Sequence, residues 1–115
     1  MKINLTNYFA EWNTGEKLIR IEEQNLHQVI YSSQSNSVIA LCHSENQHNS
    51  IIIYTIDGTK LFTINEPDNC HFNYIGSNRN FDIAVMVKEH KSGWLDWWYG
   101  IECKSGKLIS LGEGR

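Results

Sequence analysis

Apolar and polar positions alternate along this chain in short runs, broken by stretches rich in glycine, asparagine and serine. In 81–88, Phe81, Ile83, Val85 and Val87 alternate with Asp82, Ala84, Met86 and Lys88, the period of two that turns one face of a strand toward a core. Ile51, Ile52 and Ile53 are apolar on both faces and β-branched, which suits a central strand covered on either side. Ile52 to Ile56, followed by Asp57-Gly58, predicts a hairpin closing onto Lys60 to Ile64, because Asp-Gly supplies the positive φ that a tight turn needs. Leu18, Ile21 and Leu26 also fall partly on one helical face, but a repeat makes 17–21 a strand.

That repeat occurs three times. Thr14-Gly15-Glu16-Lys17-Leu18-Ile19-Arg20-Ile21 returns as Asp57-Gly58-Thr59-Lys60-Leu61-Phe62-Thr63-Ile64, and one residue shorter as Ser105-Gly106-Lys107-Leu108-Ile109-Ser110-Leu111. Upstream of the second and third glycines, 30–41 aligns without gaps on 74–85, setting Ile39 against Ile83. Both stretches read strand, polar turn, strand, and each precedes a polar insert and an aromatic-containing strand, 51–56 in one and 97–103 in the other. A glycine turn feeding a strand at a period in the forties is the signature of stacked four-stranded sheets. The reading is one all-β domain over 1–115, with about ten antiparallel strands. It comprises an N-terminal hairpin (1–24, pairing Tyr8–Trp12 with Lys17–Ile21) and four-stranded units at 25–66 and 67–115.

These units resemble β-propeller blades, and the number of units implies a partial, half-propeller arrangement, since a closed ring needs about four blades or more. A β-sandwich of other connectivity is the alternative. A half-propeller leaves an exposed flank at each end, to be covered by tight packing, self-association or a partner.

Net charge changes the picture in one respect. At −3 with a pI near 5.9 and its basic residues scattered, the chain lacks the clustered Lys and Arg that nucleic acid demands, so a basic protein partner is expected and nucleic acid is not. Cys42, Cys70 and Cys103 are odd in number and without CxxC spacing, which fits buried thiols in a reducing cytoplasm. No stretch approaches the ~20 apolar residues that cross a bilayer, and no membrane association is expected.

Candidate chemistry is sparse. The insert Cys42-His43-Ser44-Glu45-Asn46-Gln47-His48-Asn49 gathers metal-type ligands, but on a loop rather than at the i, i+4 spacing of a helical zinc site. There is no GxSxG elbow, and the glycine turns join strands instead of opening a helix for phosphate. No catalytic residue, metal or cofactor is assigned, and the protein is not expected to be an enzyme. Lys91-Ser92-Gly93-Trp94-Leu95-Asp96-Trp97-Trp98-Tyr99 is dense in rings, with alternation placing Trp97 and Tyr99 on one face and Trp98 on the other. The two inserts occupy equivalent places, so Glu45 and Asp96 are expected at one end of the sheets beside Trp94 and Trp97. Those four residues form the candidate partner-binding site, with Glu66 and Asp68 expected at the opposite end. In size, acidity and lack of catalytic motifs the chain is similar to small immunity proteins of bacterial contact-dependent growth inhibition and related toxin systems. That resemblance implies a cytoplasmic, non-catalytic protein that binds and neutralises a toxin, such as a ribonuclease. The alternative from another class is a homodimer or larger homo-oligomer in which half-propellers complete one another.

Overall fold

The computed structural model describes residues 1–44, 49–68, 70–77, 81–89 and 96–113. They form eleven strands and no helix: β1 (Ile3–Leu5), β2 (Phe9–Asn13), β3 (Leu18–Glu22), β4 (Leu26–Ser32), β5 (Ser37–Cys42), β6 (Ser50–Thr55), β7 (Lys60–Asn65), β8 (Cys70–Gly76), β9 (Ala84–Glu89), β10 (Asp96–Glu102) and β11 (Lys107–Glu113). Three antiparallel meanders result, β1-β2-β3, β4-β5-β6-β7 and β8-β9-β10-β11. The expected N-terminal hairpin gains a third strand, β1, which pairs Ile3 with Trp12 and Leu5 with Ala10. The helical reading of 18–28 gives way to β3 and β4.

The central strands of the second sheet, β5 and β6, are buried on both faces. Every residue of β5 is buried, and Ile51, Ile52 and Ile53 of β6 are 0, 5 and 0 % exposed, as their β-branched, two-sided pattern requires. Toward the first sheet, Val38, Ala40, Cys42, Ile52 and Tyr54 pack on Ala10, Trp12, Ile19 and Ile21. Toward the third, Ile39, Leu41, Ile51, Ile53 and Ile64 pack on Phe72, Ile75, Ile83, Val85, Val87 and Ile101. Burial at ~25 cal/mol per Å2 of apolar surface makes these two interfaces the main favourable contribution to folding.

Polar side chains tie the layers at specific points. Trp12 Nε1–H donates to the Ile56 carbonyl at 2.7 Å, and Tyr54 O–H (3.2 Å) and Lys60 Nζ (2.7 Å) both donate to Glu23 Oε1. Between the second and third sheets, Gln28 donates from Nε2 to the Ile75 carbonyl at 2.8 Å and accepts the Ile75 N–H at Oε1 at 2.7 Å. The amide of β4 thereby acts as a short extra strand against the edge of β8.

All three repeat glycines have positive φ, Gly15 at 95°, Gly58 at 87° and Gly106 at 71°. Each later turn also seats on the sheet before it. A β-carbon on Gly58 would stand 2.8 Å from Ile19 Cγ2, and one on Gly106 would stand 2.6 Å from the Phe62 ring, whereas one on Gly15 meets nothing within 4 Å. The strand pairings through these hairpins make Ile19, Phe62 and Ile109 equivalent, then Trp12, Ile53 and Gly100, then Ile3, Ile39 and Ala84. The gapless alignment that sets Ile39 against Ile83 is therefore one residue out of register there and two residues out upstream, where Ile30 matches Gly76, because the connection between equivalent pairs is one residue shorter in the third sheet, 77–83 against 31–38. Alternation places Ala84 and Met86 opposite the core, yet they are 0 and 5 % exposed. Phe81 precedes the strand and lies over Gly100 on their face.

Glycine turns give a graded prediction. Gly15→Ala should cost about 1–2 kcal/mol, the penalty of a β-carbon at positive φ. Gly106→Ala should cost roughly 1–3 kcal/mol more, because the Phe62 ring must move as well. Urea unfolding of both variants measures the difference, and equal losses would refute the seating of Gly106 on Phe62.

Candidate functional site

The strand ends that flank the β5–β6, β7–β8 and β9–β10 connections lie at one end of their sheets, the insert end, since a meander returns to the same end at every second turn. Ser50, which follows the first insert, pairs with Asn65, the residue before Glu66. Glu66 and Asp68 thus lie at the insert end and not opposite it, correcting the sequence expectation. Glu66 is not free to steer a partner: its side chain is 5 % exposed, accepts the Phe72 N–H at 2.7 Å and meets His71 Nδ1 at 3.3 Å. Asp68 is exposed.

Of the four expected binding residues, Glu45 and Trp94 lie outside the described residues, as do His48 and the side chain of Asp96. The backbone of Asp96 pairs with Lys88 at the insert end of β10. Trp97 is half-buried, and its Nε1–H donates to Ser110 Oγ at 2.7 Å, so its polar edge is taken up within its own sheet.

Of the metal-type residues of the first insert, Cys42 and His43 lie among the described residues. Cys42 points into the core beneath the first sheet, where burial pushes its thiol up to about 11, with Glu23 adding to the effect. The His43 ring stacks on His27, with centroids 3.9 Å apart and 17° between planes, and its Nε2 is buried without a hydrogen-bond partner. Burial first, and the His27 ring second, hold His43 below its ordinary pKa, against smaller opposing effects of the Asn73 carbonyl and Glu66. Among the described residues no group of three or more His, Cys, Asp or Glu is placed to hold a metal ion.

At the other end, an open cleft of about 420 Å3 lies between the β4–β5 turn and the third sheet, lined by Ser32, Ser35, Phe81, Asp82, Glu102 and Cys103 among others. Ser32 Oγ–H donates to Asp82 Oδ2, and Ser35 donates to Ser32 Oγ from its hydroxyl (2.9 Å) and its N–H (3.2 Å). Among the described residues no histidine lines the cleft. The bonds of Ser32 stitch the second sheet to the third. Burial raises the Cys103 thiol here too, chiefly against a smaller lowering by Ser35.

The two outward faces of the stack differ in kind. On the first sheet, Asn4, Glu11 and Arg20 form one cross-strand row. Arg20 pairs with Glu11 at 3.2 Å and lies 4.0 Å over the Phe9 ring. Glu11 stands where the second and third sheets carry Ile52 and Tyr99, so this face is finished for water. On the third sheet the row is Tyr74, Met86 and Trp98. The Tyr74 and Trp98 rings meet edge to face at 5.8 Å, while Ile109 stands where Ile19 and Phe62 receive the next sheet's glycine turn. Tyr74 is 42 % and Ile109 37 % exposed. A β-carbon on Gly100 would fall 2.6 Å from the Phe81 ring, so Phe81 fills part of the space that a further sheet would take. Tyr74, Trp98 and Ile109 were not among the expected site residues. Alternation did put Trp98 opposite Trp97, and the repeat did align Ile109 with Ile19 and Phe62.

Compared with family models, curated proteins and solved structures, the chain matches none.

Two measurements check this description. Cys42 and Cys103 should react with a thiol reagent at pH 8 far more slowly in the native protein than in urea, because burial disfavours the thiolate; fast native labelling would contradict their placement. For His43 the folded pKa lies below the ordinary 6.5, so between those values the unfolded chain binds a proton that the folded one does not. Stability should therefore fall as pH drops through 6.5 toward the folded value, and His43→Gln should flatten the slope of thermal midpoint against pH over 7.5 to 5.5.

Proposed function

We propose that this chain is a non-catalytic inhibitory binding protein, an immunity protein that neutralises a toxin domain such as a ribonuclease inside the cell, and that its stacked sheets are half of a propeller-like arrangement. The observation that carries the reading is the outward face of the third sheet. Tyr74, Trp98, Phe81 and Ile109 present an aromatic surface, the composition favoured at protein-binding hot spots. The backbone of Asp96, one of the expected anchors, pairs with Lys88 at the insert end of the strands that carry Trp98 and Met86. A basic partner suits the net charge of −3, with the charges speeding encounter and the rings supplying affinity. The alternative, two copies closing a ring, sets the third sheet of one copy against the first sheet of the other. Closure would bury the Glu11–Arg20 ion pair against aromatic rings, and taking an ion pair out of water offsets much of what the rings contribute. A foreign partner is favoured on that ground.

The test is binding to the toxin-domain product of a neighbouring reading frame, followed by light scattering and surface kinetics. A one-to-one complex is expected. Trp98→Ala should weaken it by ~2 kcal/mol, roughly 30-fold, chiefly through faster dissociation. Asp68→Lys should mainly slow association and flatten its salt dependence. A tight homodimer that binds no toxin, or folded Trp98→Ala and Tyr74→Ala variants with unchanged affinity, would overturn the reading.

A further inference from the structure

The first sheet is one strand short, and the repeat identifies what is missing. Aligned through the glycine hairpins, β1 corresponds to β5 and β9, each of which has an inner neighbour, β4 or β8. Among the described residues β1 has none, and its far edge ends the sheet. The absence leaves a mark on the core. Val29 pairs with Ala40 as Ile75 pairs with Val85, which makes Val29 and Ile75 equivalent. Ile75, overlaid by β4, is 2 % exposed, whereas Val29 and Tyr31, on the β4 face toward the first sheet, are only half-buried. Leu5, at the end of β1, and Met1, two residues before it, are exposed at 41 and 49 %. The β4 face toward the first sheet thus carries two apolar residues, Val29 and Tyr31, that the first sheet covers only in part.

From this we infer that the free edge of β1 is a strand-addition site that takes an extended segment of a partner protein as the fourth strand of the first sheet. The chemistry of the segment is set by β4, which fills the same place in the second sheet. There Gln28 bonds both backbone groups of Ile75, and Ile30 packs on the core shared with the third sheet. The matching segment carries a side-chain amide over Val29 and an apolar residue two positions on, and main-chain pairing to β1 supplies the rest. A second copy is a poor donor. Its described strands are each built into a sheet, so its core-facing side chains are already committed. The site lies away from the aromatic face of the third sheet, so its test is separate from that of the proposed function.

The register of the missing strand makes that test direct. Because Ile3 corresponds to Ile39, Met1 corresponds to Ser37, and residues 26–36 placed directly before Met1 recreate the β4–β5 hairpin in the first sheet. The fusion should slow amide hydrogen exchange at Ile3, Leu5 and Val29 by about tenfold or more and raise the thermal midpoint, while the same residues in scrambled order should do neither. Equal effects from both fusions, no effect from either, or protection appearing instead at β11 would overturn the site. Protection of β1 in the unfused chain that grows with protein concentration would assign the strand to a second copy and overturn the foreign donor.

Discussion

A sheet with two dry faces constrains everything else in this molecule. The two central strands of the second sheet have no side that tolerates water: β5 is buried at every position, and β6 carries three consecutive isoleucines that alternate into two separate cores. Such a strand cannot lie at the surface of a two-layer protein, because one of its faces would expose a continuous apolar surface. A sheet is required on each side, and the first and third sheets meet that requirement. Their inner faces are apolar because the second sheet demands it, and only their outward faces are free to differ.

Stacking is specified by a few close contacts within this general burial. Glycine turns seat on the preceding sheet at Ile19 and Phe62, Trp12 reaches across to the Ile56 carbonyl, and Gln28 pairs with the backbone of Ile75. Hydrogen bonds of this kind are worth about 1 kcal/mol net, while a buried backbone group left without one costs about 1–3. Their contribution is therefore to select one alignment of the layers. The Gln28 pairing spans the edges of two different sheets, which main-chain ladders do not join.

Freedom at the ends makes the stack directional. One end is closed by Arg20 over Phe9 and paired with Glu11, the other by aromatic rings that are themselves part-exposed. A polar face costs nothing in water, whereas an aromatic one gains from being covered. The two outward faces of the stack therefore differ in what covering them would gain.

Much of the framework was legible locally. Glycines at positive φ, the β-branched run at 51–53 and the alternation over 83–87 act through nearest neighbours, so the sequence alone determined an antiparallel all-β chain with three glycine hairpins and a doubly covered central strand. Its limits are equally specific. β1 is only Ile3–Leu5, too short for a period to register, and became a strand because β2 offered it a free edge. The match of Ile39 to Ala84 instead of Ile83 depended on the length of 77–83, and the place of Glu66 on counting turns through a meander whose ends appear only once the strands pair. The roles of Tyr74, Trp98 and Ile109 were decided by tertiary structure, because the same alternating pattern builds an inner or an outward face and only the number of sheets in the stack determines which face remains uncovered.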